Sequence, residues 1–392
     1  MSFNKLCKIL GLDSLITDEE KLNVLEKWYL ENVSTDQYIL GDAKAKYHHY
    51  CKLTETYLHH FLPNFSKNLT DRIQAFGKKN AIQEAAFQGL DKFLTLQKPE
   101  IGLLNQSNNQ LQTPLHYAVI NGYYHTVETL LLQGASPEIP NNQNQLPIFS
   151  VLLLPVIYND NKKENKEKIF RLLRDKAPKT LNHQNASGDT VLHMMAVYNF
   201  PSLMQEVLKT NNELTYIKNN RSRYPIHTAI LHKRMECLDI LLKQKGASLL
   251  QDSQNRVALH YAVLYASRGI LALCIESAKN LDPRDAFGKT PLILAGEAGN
   301  FDAVKTLVEA GADITVKDNK KCTVLHYAVK SGNLNLVEWL LNQDIKINEI
   351  DDDLCTPLDI ANTLSEKKIS ELLSNHGAIS KNNNENNIHS YK

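Results

Sequence analysis

Two histidine doublets, His48-His49 and His59-His60, flank Cys51 closely enough to raise metal ligation or a Cys/His nucleophile. Helical geometry removes the metal: adjacent residues on a helix point about 100° apart, and residues eleven apart share a face but stand roughly 16 Å from each other along the axis. One ion cannot be reached by both doublets. Cys51 does lie within one turn of His48, but its angular position falls in an aromatic stripe with Tyr47, Tyr50, Tyr57 and Phe61, which points to burial rather than reactivity. A second set, His116, His193, His227, His260 and His326, recurs in one slot of a repeating phrase. With about 10 Å between packed helices, successive imidazoles are too distant to share a metal. A third set is basic: Arg223, Arg256 and Lys289 recur in register, with Arg221, Lys320 and Lys321 close by and the acidic run Asp351-Asp352-Asp353 following. Guanidinium and ammonium groups in such a row suit carboxylate or phosphate, through forked contacts in the case of arginine. No phosphate-cradling Gly-Lys-Ser/Thr loop, Gly-x-Ser-x-Gly elbow or His-Glu-x-x-His pair occurs, so no cofactor or metal is expected.

The elements that position these residues follow from the phrase itself. It reads Thr323-Val324-Leu325-His326-Tyr327-Ala328-Val329 at its cleanest, and its proline slot recurs at Pro114, Pro147, Val191, Pro225, Ala258, Pro291, Val324 and Pro357, with spacings of 33, 44, 34, 33, 33, 33 and 33. So steady a period is a repeat architecture. Thr before an apolar run suits an N-cap, and Pro in the next slot is pre-set for the first helical turn. Leu325, Ala328 and Val329 fall on one helix face, and Val337, Leu340 and Leu341 repeat the pattern in a second helix. Glycines such as Gly311 and Gly377 end these helices where φ turns positive. Two such helices cannot bury both apolar faces alone, so each pair must stack on the next.

A 33-residue unit opening Thr-Pro-Leu-His-x-Ala resembles the ankyrin repeat, and the resemblance covers roughly residues 80 to 379. It implies an all-α solenoid of about nine helix-turn-helix units, starting near 80, 113, 146, 190, 224, 257, 290, 323 and 356. It also implies that the repeated His is a structural residue tying a helix start to neighbouring loop backbone. Binding in the family uses the loop fingers and the concave face of the first helices. On the fingers the candidates are Arg221, Arg223, Arg256, Lys289, Lys320 and Lys321; on the concave face they are Ile120, Tyr198, His232 and Tyr265.

Residues 1–79 fall outside the repeat and read as a small helical N-terminal domain, with a capping box at Thr17-Asp18-Glu19-Glu20 and a second helix from about Asp42 to Leu62. The 44-residue step after Pro147 leaves extra residues, and the polar, unperiodic stretch 159–166 reads as a lengthened inter-helix loop. The last unit replaces His with Asp359, and residues 380–392 are Asn-rich and expected to be disordered. Over 392 residues the net charge is +1, which recruits neither nucleic acid nor an anionic membrane. The longest apolar run, Leu146 to Tyr158, is too short and too proline-rich to span a bilayer. The six scattered cysteines suit a reducing compartment, so the chain reads as a soluble, cytoplasmic monomer.

The function expected is that of a non-enzymatic scaffold binding another protein, one with an acidic or phosphorylated segment. The alternative is an enzyme whose N-terminal domain, around Cys51 and His48, is targeted by the repeats. The Asn- and Lys-rich composition and polar tail further resemble ankyrin-bearing effectors secreted into host cells by intracellular bacteria, which implies an export signal in the tail and a host protein as partner.

Overall fold

The computed structural model describes residues 81–89, 91, 94–95, 99–153, 160–265 and 267–381. The expected N-terminal domain, with Cys51 and His48, lies outside the described residues, as does the tail from 382 on which the export expectation rests. Among the described residues every regular element is helical, with eighteen α-helices and no strand. The chain divides into two compact units, with the boundary between Ala186 and Ser187.

The first unit contains α1 (Ala81–Gln88), α2 (Ile101–Leu104), α3 (Pro114–Asn121), α4 (Tyr124–Leu132), α5 (Pro147–Ser150) and α6 (Asp160–Lys176). Helix α1 packs on α3, α3 on α5, and α4 on α6. Ala85 and Ala118 are both buried, and Gly89 and Gly122 follow their helices at positive φ. The expectation of a loop over 159–166 is overturned. From Asp160 this segment is the first part of the 17-residue helix α6. Glu164 pairs with Lys168 and Glu167 with Arg171, both at i,i+4, which supports an exposed helix face. Lys166, Ile169, Phe170 and Leu173 make a buried stripe at helical spacing. The extra residues therefore lengthen the second helix of the third repeat, while its first helix shrinks to the four residues of α5.

The second unit is six helix pairs: α7 (Val191–Tyr198) and α8 (Pro201–Thr210), α9 (Pro225–Leu231) and α10 (Met235–Leu242), α11 (Ala258–Tyr265) and α12 (Arg268–Ser277), α13 (Pro291–Glu297) and α14 (Phe301–Glu309), α15 (Val324–Lys330) and α16 (Leu334–Leu341), α17 (Pro357–Thr363) and α18 (Lys367–Asn375). The first helices form one row, α7 to α9 to α11 to α13 to α15 to α17, and the second helices pack behind them. Pro225, Pro291 and Pro357 occupy the first helical turn, where no N–H is needed. Ala229, Ala262, Ala295, Ala328 and Ala361 hold one buried slot along the row and let neighbouring helices approach closely. Leu325, Val329, Val337 and Leu340 fill the space between layers, and burying each such side chain contributes about 1.5–3 kcal/mol. At the last pair, Asp359 takes the histidine slot. Its carboxylate accepts the Thr356 N–H at 2.9 Å and the Ser380 hydroxyl at 2.6 Å. Ser380, expected at the start of a disordered tail, is buried as part of this repeat because that carboxylate holds it.

Candidate functional site

The fingers between repeats are shaped by an Asx turn. Asn108, Asn141, Asn219, Asp252, Asp285, Asp318 and Asp351 each use Oδ1 to accept backbone N–H groups two and four residues on, at 2.7–3.0 Å. Three residues after each of these turn-forming residues the backbone turns left-handed, and the occupants include Leu111, Ser222, Asn255, Lys321 and Leu354. Successive fingers are joined by one backbone hydrogen bond at 2.8–3.0 Å, such as Asn142 N–H to Gln110 O and Asp352 N–H to Lys320 O, except between fingers 219–223 and 252–256.

The repeated histidine ties the finger to the helix behind it. In His116, His193, His260 and His326, Nδ1 accepts the backbone N–H of the residue three before, at 3.1–3.2 Å. Nε2–H then donates to a carbonyl of the following finger: Gln145, Arg223, Lys289 and Cys355 respectively, at 3.0–3.3 Å. The imidazole plays the part that Glu plays in a capping box and reaches one repeat further. One nitrogen must accept and the other donate, so only the neutral ring fits. Burial lowers the pKa of His116, His193, His260 and His326, and takes His227 down to about 4. The structural role implied for this slot is what the geometry displays.

The next slot carries a tyrosine in the clearest repeats, and the sequence reading passed it over. Tyr261 donates its hydroxyl to Asp252 Oδ2 at 2.8 Å, and Tyr327 donates to Asp318 Oδ2 at 2.7 Å. The His-Tyr-Ala spelling of the phrase was the available signal. In the intervening repeat the two slots are Ile293 and Leu294, so Asp285 receives no such hydroxyl and its Oδ2 is buried without a hydrogen bond.

The finger candidates fall into two groups. Lys289 Nζ pairs with Glu297 at 2.6 Å and sits 4.4 Å from the centre of the Tyr327 ring; Lys321 pairs with Asp352 at 2.8 Å. These two ammonium charges already have carboxylate partners within the chain. Arg221 and Lys320 are exposed, with no carboxylate among the described residues within ion-pair distance. The Arg223 guanidinium lies 5.9 Å from the centre of the Tyr261 ring. Arg256 Nε stands 3.8 Å from Asp285 Oδ2, and neither atom has a hydrogen bond although both are buried.

On the concave face, Ile120 and Tyr198 are half-buried on their helices, and His232 is exposed just beyond α9. Tyr265 is 44 % exposed and lies 5.8 Å from Tyr261, which in turn stacks on His227 at 4.6 Å. Tyr265 is thus the solvent end of an aromatic column. Three exposed apolar finger residues were missed, Leu111, Phe287 and Leu354.

Among the described residues, no group of three or more His, Cys, Asp or Glu could hold a metal ion, and no helix is long and apolar enough to cross a membrane. Burial pushes the thiols of Cys237 and Cys274 up to about 12, far from the range of a nucleophile.

Comparison with known proteins adds three sequence matches to ankyrin-repeat family models, over residues 110–142, 294–341 and 325–361. The transient receptor potential cation channel subfamily A member 1 homolog of Caenorhabditis elegans is 24% identical over 203 residues, covering 52% of this chain and 16% of that protein. Inversin of Canis lupus familiaris is 27% identical over 207 residues, covering 51% of this chain and 18% of its own length. The probable 26S proteasome regulatory subunit p28 of Saccharomyces cerevisiae is 32% identical over 90 residues, which are 22% of this chain and 40% of that subunit. The chain spans less than a fifth of the channel homolog and of inversin.

Proposed function

Because this chain is an ankyrin-repeat protein, built of units whose general role is to bind other proteins, we propose that it is a non-enzymatic scaffold that captures a partner protein along the fingers of its second unit. The segment captured is acidic or phosphorylated and also carries an apolar side chain. The single observation that carries this reading is the contrast within one finger. Each turn backbone is fixed by Asx hydrogen bonds, with a histidine tie as well on three of the four fingers concerned, while one side chain at the edge of each, Arg221, Phe287, Lys320 or Leu354, is exposed. Leu354 keeps a positive φ of 61°, a conformation costly for leucine and kept where the tip meets solvent. Rigid backbone lowers the ordering cost of association, and exposed apolar and cationic groups supply contact. The partnership of the p28 relative with the proteasome, stated in its name, is in keeping with a role inside an assembly. A reducing, cytoplasmic setting is supported by the buried free thiols of Cys237, Cys274 and Cys322.

The experiment is capture by the full chain, followed by a variant carrying Lys320→Glu, Phe287→Ser and Leu354→Ser. All three side chains are exposed, so the fold should survive, as circular dichroism can verify. Partners retained by the parent chain should be lost by this variant. Undiminished capture by the folded variant removes the fingers from the binding surface.

A further inference from the structure

One finger junction of the second unit is built differently. In the register of the repeat, Ser253 N–H should donate to Arg221 O, as Asn220 donates to Ser187 before it and Ala286 to Gln254 after it. Among the described residues neither Ser253 N–H nor Arg221 O takes part in a backbone hydrogen bond. The histidine tie is displaced at the same place: His227 Nε2 donates to Leu250 O at 3.1 Å, whereas its equivalents reach the slot that Arg256 O occupies. The backbone bond that closes the other finger junctions of this unit is therefore missing between fingers 219–223 and 252–256, and the histidine tie there is displaced.

This seam also carries two arginines on one finger, Arg221 and Arg223. Among the described residues neither has a carboxylate within ion-pair distance, whereas Arg256 on the next finger turns its Nε to Asp285 Oδ2, 3.8 Å away on the finger after that. The carboxylates near them are turned inward. Asp252 already accepts from two backbone N–H groups and the Tyr261 hydroxyl, and Asp285 accepts two N–H groups through Oδ1. At the seam the cationic forks thus outnumber the acceptors available to them.

We propose that this seam is a receptor for one phosphorylated serine or threonine in an extended segment of the partner protein. This rests on the finger-binding reading above and names its anchor. A phosphate monoester brings close to two negative charges and three acceptor oxygens, which match two guanidinium forks. Arg223 grips the phosphate at the seam, and Arg221 neutralises it from the outer edge. The unpaired Ser253 N–H and Arg221 carbonyl are left to pair with the backbone of the bound segment, as an added strand would.

The test uses the full chain and a fluorescein-labelled peptide with one phosphoserine flanked by alanines, against the same peptide carrying serine or glutamate, read by fluorescence anisotropy. The phosphopeptide should bind about tenfold more tightly than the glutamate form, and Arg221→Gln and Arg223→Gln should each remove about that advantage. Arg223→Lys, which keeps the charge and loses the fork, should fall between, while Lys305→Gln, on helix α14 where it pairs with Glu309, should leave the phosphopeptide unchanged. Equal binding of the phospho and glutamate peptides, both weakened by Arg223→Gln, overturns the phosphate receptor and leaves the acidic-segment reading standing. Phosphopeptide binding that is indifferent to Arg221→Gln and Arg223→Gln overturns it as well. Full competition by a single-stranded RNA decamer, with inorganic phosphate inert, reassigns the seam to nucleic-acid backbone and overturns it too. Undiminished capture by the folded Lys320, Phe287 and Leu354 variant would instead be a failure of the finger reading itself.

Discussion

The repeat that starts at Thr323 and the repeat that starts at Leu146 hold the same position in the pattern and are stabilised by different means. The first has a seven-residue helix, a neutral imidazole reaching Cys355 O, and a second helix capped by the Asn333 side chain, which accepts from Leu336 N–H. The second puts Phe149 where the histidine belongs, and its first helix stops after four residues. Its Ser150 hydroxyl is buried without a hydrogen bond. What it has instead is a long amphipathic helix whose Ile169, Phe170 and Leu173 are fully or almost fully buried. Polar ties between neighbours and apolar packing are therefore interchangeable ways of completing a unit that cannot stand alone.

That comparison can be broken most directly at Phe170. Phe170→Ala should lower stability by about 3–5 kcal/mol in denaturant titration, since a fully buried ring is lost and a cavity remains. A loss below about 1 kcal/mol would show that packing is not what replaces the missing tie. In the other repeat, His326→Leu leaves the Thr323 N–H without a partner and takes from the Cys355 carbonyl one of its two donors, the Asp351 N–H remaining, and should cost about 1–3 kcal/mol. Gly288→Ala probes the fingers: φ is 74°, and an added Cβ would meet the Asn319 backbone N at 2.8 Å. It should cost about 1–3 kcal/mol, measured by thermal melting.

The histidine repeats should also differ from the third repeat in their response to acid. Their folded-state pKa values lie below the unfolded value of about 6.5, so the unfolded chain binds more protons. Their contribution is complete above that pH and is lost as pH falls towards the folded values, about 4 for His227. A denaturation series from pH 7 to pH 4 should show that slope, and the His326→Leu variant should show less of it. The smallest effect belongs to the surface of α6: Glu167→Ala, which removes the pair with Arg171, should cost about 0.3–0.5 kcal/mol.

The helix starts, the buried alanine row and the histidine slot were legible because side-chain identity repeats with the structure. Helix α6 was not, since Asn159-Asp160-Asn161 reads as a breaker and its stripe of Ile169, Phe170 and Leu173 begins only beyond the polar stretch. Lys289 and Lys321 were recognised as finger residues, but their carboxylate partners, Glu297 and Asp352, are a matter of side-chain reach that spacing does not reveal. The open junction beside Arg256 was invisible for a deeper reason. It consists of backbone groups that fail to meet, and no residue type encodes Ser253 N–H or Leu250 O.

Asp359 carries a consequence for the order in which the second unit comes apart. Burial opposes its ionisation, yet the bonds from Ser380 and Thr356 prevail and keep its carboxyl below the usual carboxylate range. As pH falls from the unfolded histidine value towards the lower folded values, the tied imidazoles in the middle of the row lose their contribution while the terminal aspartate stays charged and latched to Ser380. Repeat arrays ordinarily fray from their ends; acid would loosen this one from within, with its closing clasp among the last parts to let go.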